Sequence, residues 1–580
     1  MTYPLDVEGW KLRLWLLCAV CLVGCPVEGG PDPDDDDAVA DDDDASHGDG
    51  RPASEIVVTT EAHNEIAWLP SETGFYEVTN EVSPNIAQEL PPEFEVYGNR
   101  RTHMSAPTGG VVTADFDRDG FIDLFLPRTF GDNVMYWGTG DQNIWGPLAD
   151  IGSLALTEMW TGSATAVDFD GDGLLDVSLT GLHEARLFRN TGERAFEDVT
   201  EAWGLRADRE LGSTTAWADF DQDGDLDLFL GRYVTDIDND DPGNDNRSAA
   251  QSSLWRNDGD SLVDVSDMLP LHGEHSAGAV LHASWHDIDG DGDLDLAHYN
   301  DFGDAYLSSR VYENQGDVFV DRSDDAQFHI LTYSMGGTFR DFDGSGVPEA
   351  LVTDIGSVFA FQALNPFEHV DVTQTWLSDL EIFDSSTSWS VMDLDIDGDT
   401  WSDAYITFGD FFPNVPGDQW DDEPDRVLMG TTDGGVFTGF TQQNSVLPSE
   451  SWDKARGAAL SDLDGNGTPD LVVGRVGQRP RVLLLQNNGT NRVVIKLVDP
   501  NRPNRYGVGA TVVVETDGHR QSDTIQAGGD GSFSGQEPAL YFAFGAAQTI
   551  DRMEVHWADG AVSVAEGVCA NCRVRVQRQD

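Results

Sequence analysis

The chain has 580 residues, 39% of them hydrophobic and 10% aromatic, enough to bury a sizeable core in a repeat array with further domains. Its 105 acidic residues against 33 basic ones give a formal net charge of −72, a field that repels nucleic acid and anionic lipid and attracts cations. With 61 glycines and 25 prolines the composition suits turn-rich, all-β structure rather than helices.

At the N-terminus, Lys11 and Arg13 precede an apolar run from Leu14 to Val23 that is too short to span a bilayer comfortably. The run ends in Leu22-Val23-Gly24-Cys25, which resembles a bacterial lipobox. That resemblance implies that residues 1–25 are a lipoprotein signal and that Cys25 is the acylated first residue of the mature protein. An ordinary signal peptide is the weaker alternative. Pro26 rather than Asp follows the Cys, which by the same resemblance points to the outer membrane or cell surface. The protein would then be anchored to a membrane, not threaded through it. Residues 26–65 are expected to be a disordered tether, because Asp34 to Asp37 and Asp41 to Asp44 repel one another and little apolar sequence opposes them.

From residue 66 to 490 an acidic nonapeptide recurs, each copy between strand-like runs. The copies start at Asp115, Asp168, Asp219, Asp287, Asp341, Asp395 and Asp462, at steps of 53, 51, 68, 54, 54 and 67 residues. A repeat of this length containing four strand-like segments predicts a propeller blade. Small residues before each loop, such as Gly110-Val111-Val112-Thr113-Ala114, suit a strand close to a central axis. The seventh copy lacks a fourth strand, and Phe75-Tyr76-Glu77-Val78-Thr79 stands unassigned before the first copy. An N-terminal strand completing the last of seven blades accounts for both and leaves no exposed sheet edge. The two long steps place insertions after the third and sixth loops, around Asp236 to Asp241 and Phe411-Phe412-Pro413, and such insertions often carry binding.

The nonapeptide reads as a Ca²⁺ loop. Positions 1, 3, 5 and 9 offer side-chain oxygens, position 7 a carbonyl, and Gly at position 6 the sharp bend; hard Ca²⁺ accepts such an irregular oxygen cage. The ligands would be Asp115, Asp117, Asp119 and Asp123 in loop 1, then Asp168, Asp170, Asp172 and Asp176 in loop 2. Loop 3 offers Asp219, Asp221, Asp223 and Asp227, and loop 4 Asp287, Asp289, Asp291 and Asp295. Loop 5 has Asp341, Asp343, Ser345 and Glu349, loop 6 Asp395, Asp397, Asp399 and Asp403, and loop 7 Asp462, Asp464, Asn466 and Asp470. Loops 5 and 7 lack the carboxylate at position 5, and loop 6 carries Thr400 at position 6, so these three are expected to bind more weakly. Loop 6 could also slip two residues to start at Asp393.

These loops and their strands resemble FG-GAP/VCBS repeats, the units of integrin α-subunit propellers. Residues 491–580 carry no acidic loop and read as a separate small β-domain. They resemble the ASPIC/UnbV domain of cartilage acidic protein and its bacterial relatives. The resemblance rests on Asn504-Arg505-Tyr506-Gly507-Val508-Gly509-Ala510, Gly531-Ser532-Phe533-Ser534-Gly535-Gln536, Phe542-Ala543-Phe544-Gly545 and Val555-His556-Trp557-Ala558-Asp559-Gly560. The middle motif departs from the more usual G-x-x-x-S-Q, and Ala558 stands where Pro is common. The resemblance implies an all-β, seven-bladed propeller followed by a small β-domain, and calcium-dependent surface binding or adhesion without catalysis. The partner would be a surface protein or a glycan, not nucleic acid.

Cys569 and Cys572 are expected to be a local disulfide or idle thiols in an exported chain. An enzyme acting on polysaccharide, lyase or hydrolase, is the alternative function. Its candidate residues are His272, His275, His282, His286 and His298, with His282 and His286 sharing one strand face. Strand packing is the more ordinary role for these histidines. A purely structural envelope scaffold is the third reading.

Overall fold

The computed structural model describes residues 54–63, 75–79 and 108–579, without 130, 142–143, 157–160, 182–184, 206–210, 236–248, 273–276, 332, 382–385, 410–422, 449–451, 477, 487–488 and 529–530. The signal segment with Cys25, the Asp blocks, both long insertions and His275 lie outside the described residues.

Seven antiparallel sheets each carry one acidic loop between their first and second strands. The first strands are Val112–Ala114, Thr161–Val167, Gly212–Ala218, Ala279–His286, Ser334–Arg340, Ser388–Leu394 and Ala455–Ser461. Each neighbours the next in this order, and the last neighbours the first, so the sheets form a closed ring around these strands. We number the sheets as blades 1 to 7, with loops 1 to 7. The last blade is completed by Phe75–Glu77, which pairs antiparallel with Arg481–Leu485, Phe75 opposite Leu485. The strand predicted to close the ring therefore does so.

The cores lie between blades rather than within them. Position 2 of each loop is apolar and buried: Phe116, Phe169, Phe220, Ile288, Phe342, Ile396 and Leu463. Each belongs to a different cluster between its own blade and the next. A loop otherwise made of carboxylates is thus held at its second residue by the hydrophobic effect.

The C-terminal domain contains two further four-stranded sheets. One combines His519–Thr524, Thr511–Thr516, Thr549–His556 and Val562–Cys569. The other combines Ile56–Glu61, Cys572–Arg578, Arg492–Val498 and Leu540–Ala543. Ile56–Glu61 lies inside the segment expected to be tether, yet it pairs residue for residue with Arg573–Arg578. Six residues, five of them β-branched, gain a full ladder there, which the neighbouring Asp-rich composition hid.

The motif from Gly531 to Gln536 is buried in the propeller axis rather than displayed on a surface. Gly535–Gln536 adds to blade 1 as a parallel strand against Val112 and Thr113. With Gln526 and Ala527, the segment reaches every blade. The Val111 N–H donates to Ser534 Oγ, Ala164 N–H to the Phe533 carbonyl and Trp217 N–H to the Ala527 carbonyl. Gln526 donates to the Trp285 carbonyl, and Ser532 Oγ to the Met335 and Trp389 carbonyls. Leu460 N–H donates to Gln536 Oε1. A Cβ on Gly531 would stand 2.0 Å from the Ala458 carbonyl oxygen, so only Gly fits at that point. Phe533, 1% exposed, packs on Trp389 among the first strands.

Candidate metal centres

All seven loops share one hydrogen-bond frame. The position 2 N–H donates to the position 9 carboxylate at 2.8–3.2 Å, from Phe116 to Asp123 through Leu463 to Asp470. In six loops the other oxygen of position 9 accepts an N–H from the third strand: Gly138, Asn190, Asn257, Asn314, Gly430 and Leu485. Position 9 is therefore a staple between loop and sheet as well as a possible ligand, a role the sequence reading missed. Asn190, Asn257 and Asn314 add a second staple by donating to the position 2 carbonyl of the preceding blade. The recurrent Asn ending the third strand was the available signal.

In six loops the N–H of position 6 donates to the position 1 carboxylate at 2.8–3.1 Å. This turn places position 6 at φ between +84° and +101°, a region suited to Gly. Loop 6 holds Thr400 there at +84°. The Thr400 N–H meets Asp395, and Ile396 N–H meets Asp403, so loop 6 starts at Asp395 like its siblings. The alternative start is excluded because Asp393 is paired with Arg340 at 2.8 Å.

The frame gathers carboxylates. Oxygens of Asp115, Asp117 and Asp123 lie within 4.8 Å of one another, as do those of Asp168, Asp170 and Asp176, of Asp219, Asp221 and Asp227, and of Asp341, Asp343 and Glu349. Loop 4 gathers Asp287, Asp289 and Asp291. At position 5, Asp119, Asp172, Asp223, Asp291 and Asp399 each accept the position 7 N–H. Burial pushes Asp115 up to about 6, Asp168 to about 7, and Asp123 and Asp219 to about 8. Asp176 and Asp227 are raised well above the carboxylate range by the same cause. Asp168 Oδ1, Asp219 Oδ1, Asp341 Oδ1, Glu349 Oε1 and Asp462 Oδ1 are buried without a hydrogen-bond partner among the described residues. Buried lone oxygens among crowded carboxylates call for a proton or a cation, and a cation would let the carboxylates stay ionised. The donors are hard oxygens, and this set fits Ca²⁺.

The C-terminal domain is seated on the loops. Asn504 N–H donates to the Gly224 carbonyl of loop 3, Arg505 to the Gly171 carbonyl and Tyr506 to the Gly173 carbonyl of loop 2. His519 meets the Thr400 carbonyl, and Arg492 donates to the Asp395 and Ile396 carbonyls. Arg520 pairs with Asp341 and Arg573 with Asp462. The motif residues of the second domain thus contact the repeat's own loops.

The FG-GAP-like repeat family matches residues 115–179 and 168–230, and the ASPIC and UnbV family matches residues 500–580. The chain combines FG-GAP-like repeats with an ASPIC and UnbV domain. No curated protein matches the sequence. Among solved structures, an Agrocybe aegerita lectin that recognises non-reducing terminal N-acetylglucosamine is similar at 16% identity, over 65% of this chain and 94% of that one, with a TM-score of 0.36. A Bacillus licheniformis rhamnogalacturonan lyase is similar at 13% identity, over 65% and 72%, with a TM-score of 0.35. Neither likeness carries a functional argument at that score.

The histidines pack as ordinary core residues. His282 and His286 are buried in the first strand of blade 4, against Tyr299 and Phe339 respectively. Burial lowers His286 to about 3 and His298 to about 4, so both stay neutral at physiological pH. His272 and His298 both face the Tyr312 hydroxyl, and His298 and Tyr312 line a cleft between blades 3 and 4. Of the two states expected for Cys569 and Cys572, the structure has the free thiols. They flank a two-residue turn between strands of different sheets, where the Cys572 thiol donates to the Cys569 carbonyl.

Proposed function

We propose that this protein is a calcium-stabilised, non-catalytic binding propeller, exported and held at a bacterial outer membrane or cell surface through acylated Cys25. The observation that carries the metal assignment is the buried, partnerless oxygen of Asp168 and Asp219 inside a carboxylate cluster. A bound Ca²⁺ supplies the charge that these oxygens lack and adds its binding free energy to the fold by mass action. Residues at positions 1, 3 and 9, or 1, 3 and 5 in loop 4, would hold it.

The ligand face follows from what the second domain covers. That domain occupies the loop side of blades 2, 3, 5, 6 and 7. The second strands of blades 3 and 6 end on the opposite side, at Arg232 and Phe408, where the blade 3–4 cleft also lies. A surface protein or a glycan would bind on that side. Pull-down of envelope proteins and glycan-array binding by the full chain, with Ca²⁺ and with chelator, tests the reading. Calcium-dependent capture is expected. Turnover of a polysaccharide by the wild type that His298→Ala abolishes would overturn it in favour of an enzyme.

A further inference from the structure

Loops 5 and 7 differ from loop 3 in who faces the position 1 carboxylate. In loop 3, Asp219 Oδ2 accepts the Gly224 N–H, and Oδ1 has no partner among the described residues. In loop 5, Asp341 Oδ2 accepts the Gly346 N–H and is also paired with Arg520 at 2.9 Å. The guanidinium lies over the loop itself, since a Cβ on Gly346 would stand 3.0 Å from Arg520 NH1. In loop 7, Asp462 Oδ2 is paired with Arg573 at 2.8 Å. Both aspartate side chains are only 4% exposed, so water screens these pairs poorly. In each case the second oxygen, Oδ1, is buried and has no partner. The loop can therefore still take a metal, but beside a fixed cation.

The arginines stand at the two loops poorest in carboxylate. Loops 5 and 7 carry three acids at ligand positions, where loop 3 carries four. One guanidinium leaves a formal cage charge of −2 in loops 5 and 7, against −4 in loop 3. Both arginines belong to the C-terminal domain, on strands His519–Thr524 and Cys572–Arg578.

Building on the calcium reading above, we propose that Arg520 and Arg573 are affinity-setting residues, through which the second domain weakens divalent binding at loops 5 and 7. Loops 5 and 7 then form a weak class beside loop 3. The guanidinium holds the position 1 carboxylate when no metal is present, so the domain stays latched to these blades without calcium.

Calorimetric titration of the full, chelator-stripped chain with Ca²⁺ alone tests this. Wild type should show two classes of sites. Arg520→Gln and Arg573→Gln should each raise one weak site by at least about tenfold, a modest change beside the Coulomb repulsion between a divalent ion and a nearby guanidinium, and leave the tight class unchanged. Arg520→Lys, which keeps the charge but loses the planar fork, should fall between. It also serves where the Gln variant does not fold, as melting in chelator would show. Asp341→Asn should remove one weak site only. Weak sites unchanged or weakened in the Gln variants would overturn the proposal while leaving the calcium reading intact. No binding at any loop would overturn both.

Discussion

Loops 3 and 7 share a nine-residue frame and differ in almost everything around it. In both, position 9 is a buried carboxylate bridging the loop's second residue and the third strand. Around loop 3, Asp219 is left with a bare buried oxygen in a cluster of carboxylates. Around loop 7 the whole stretch from Ser461 to Asp470 is buried. Asn466 donates to Asp464 and accepts from Thr468, and Arg573 holds Asp462 Oδ2 while its Oδ1 stays bare. One pattern thus forms an open carboxylate cluster in one blade and, in another, a joint that Asn466 and Arg573 partly satisfy. The motif encodes the turn; the neighbours decide how much positive charge it still needs.

The largest expected effect tests what the two loops have in common. Asp227→Ala and Asp470→Ala each strand two buried N–H groups, at about 1–3 kcal/mol apiece. Both should lose about 2–6 kcal/mol in denaturant melts, with calcium or without. A loss seen only with calcium would mean that position 9 is a ligand and not a staple.

Next comes a change of sign. Asp219→Asn removes a ligand, so with saturating calcium it should lower stability by about 2–3 kcal/mol, the worth of one site at roughly a hundredfold excess over its Kd. In chelator at alkaline pH it should be neutral or stabilising, because it removes a buried charge whose pKa burial has raised to about 8. Asp462→Asn should destabilise under both conditions, since it breaks the pair with Arg573.

The pH dependence separates metal from proton. Asp115, Asp168 and Asp219 have folded-state pKa values of about 6, 7 and 8, above the unfolded value of about 3.9. Their protonated forms favour the folded state, so the apo protein keeps that stability below pH ~4 and loses it as pH rises through about 6 to 8. Calcium binds the ionised forms and gains as the protons leave. The gap in Tm between calcium and chelator should therefore widen from pH ~5 to pH ~8. The smallest effect belongs to loop 6: Thr400→Gly, relieving a β-branched residue at φ +84°, should stabilise by about 1 kcal/mol in thermal melts.

Much of the fold was legible because the loops count the blades. The stray Phe75–Glu77 segment was placed correctly from a missing partner, since an unpaired edge is costly wherever it occurs. What stayed hidden depends on contacts distant in sequence. Nothing local marks Ser532-Phe533-Ser534 as an axial segment; its partners are carbonyls and N–H groups from strands up to more than 400 residues away. Ile56–Glu61 lay in a segment dominated by a charge run that masked its β-branched composition. The apolar residue at position 2 of every loop was visible but unread, overshadowed by the carboxylates on either side. The arginines at loops 5 and 7 could not be paired with their loops without the fold, because Arg573 stands 111 residues from Asp462.

Thermal melting of the full chain in Ca²⁺ and in chelator tests the central claim most directly. The account predicts a Tm at least about 10 °C higher with calcium, since several sites each contribute roughly 2–3 kcal/mol at a hundredfold excess over Kd. Identical melting curves under the two conditions would contradict it.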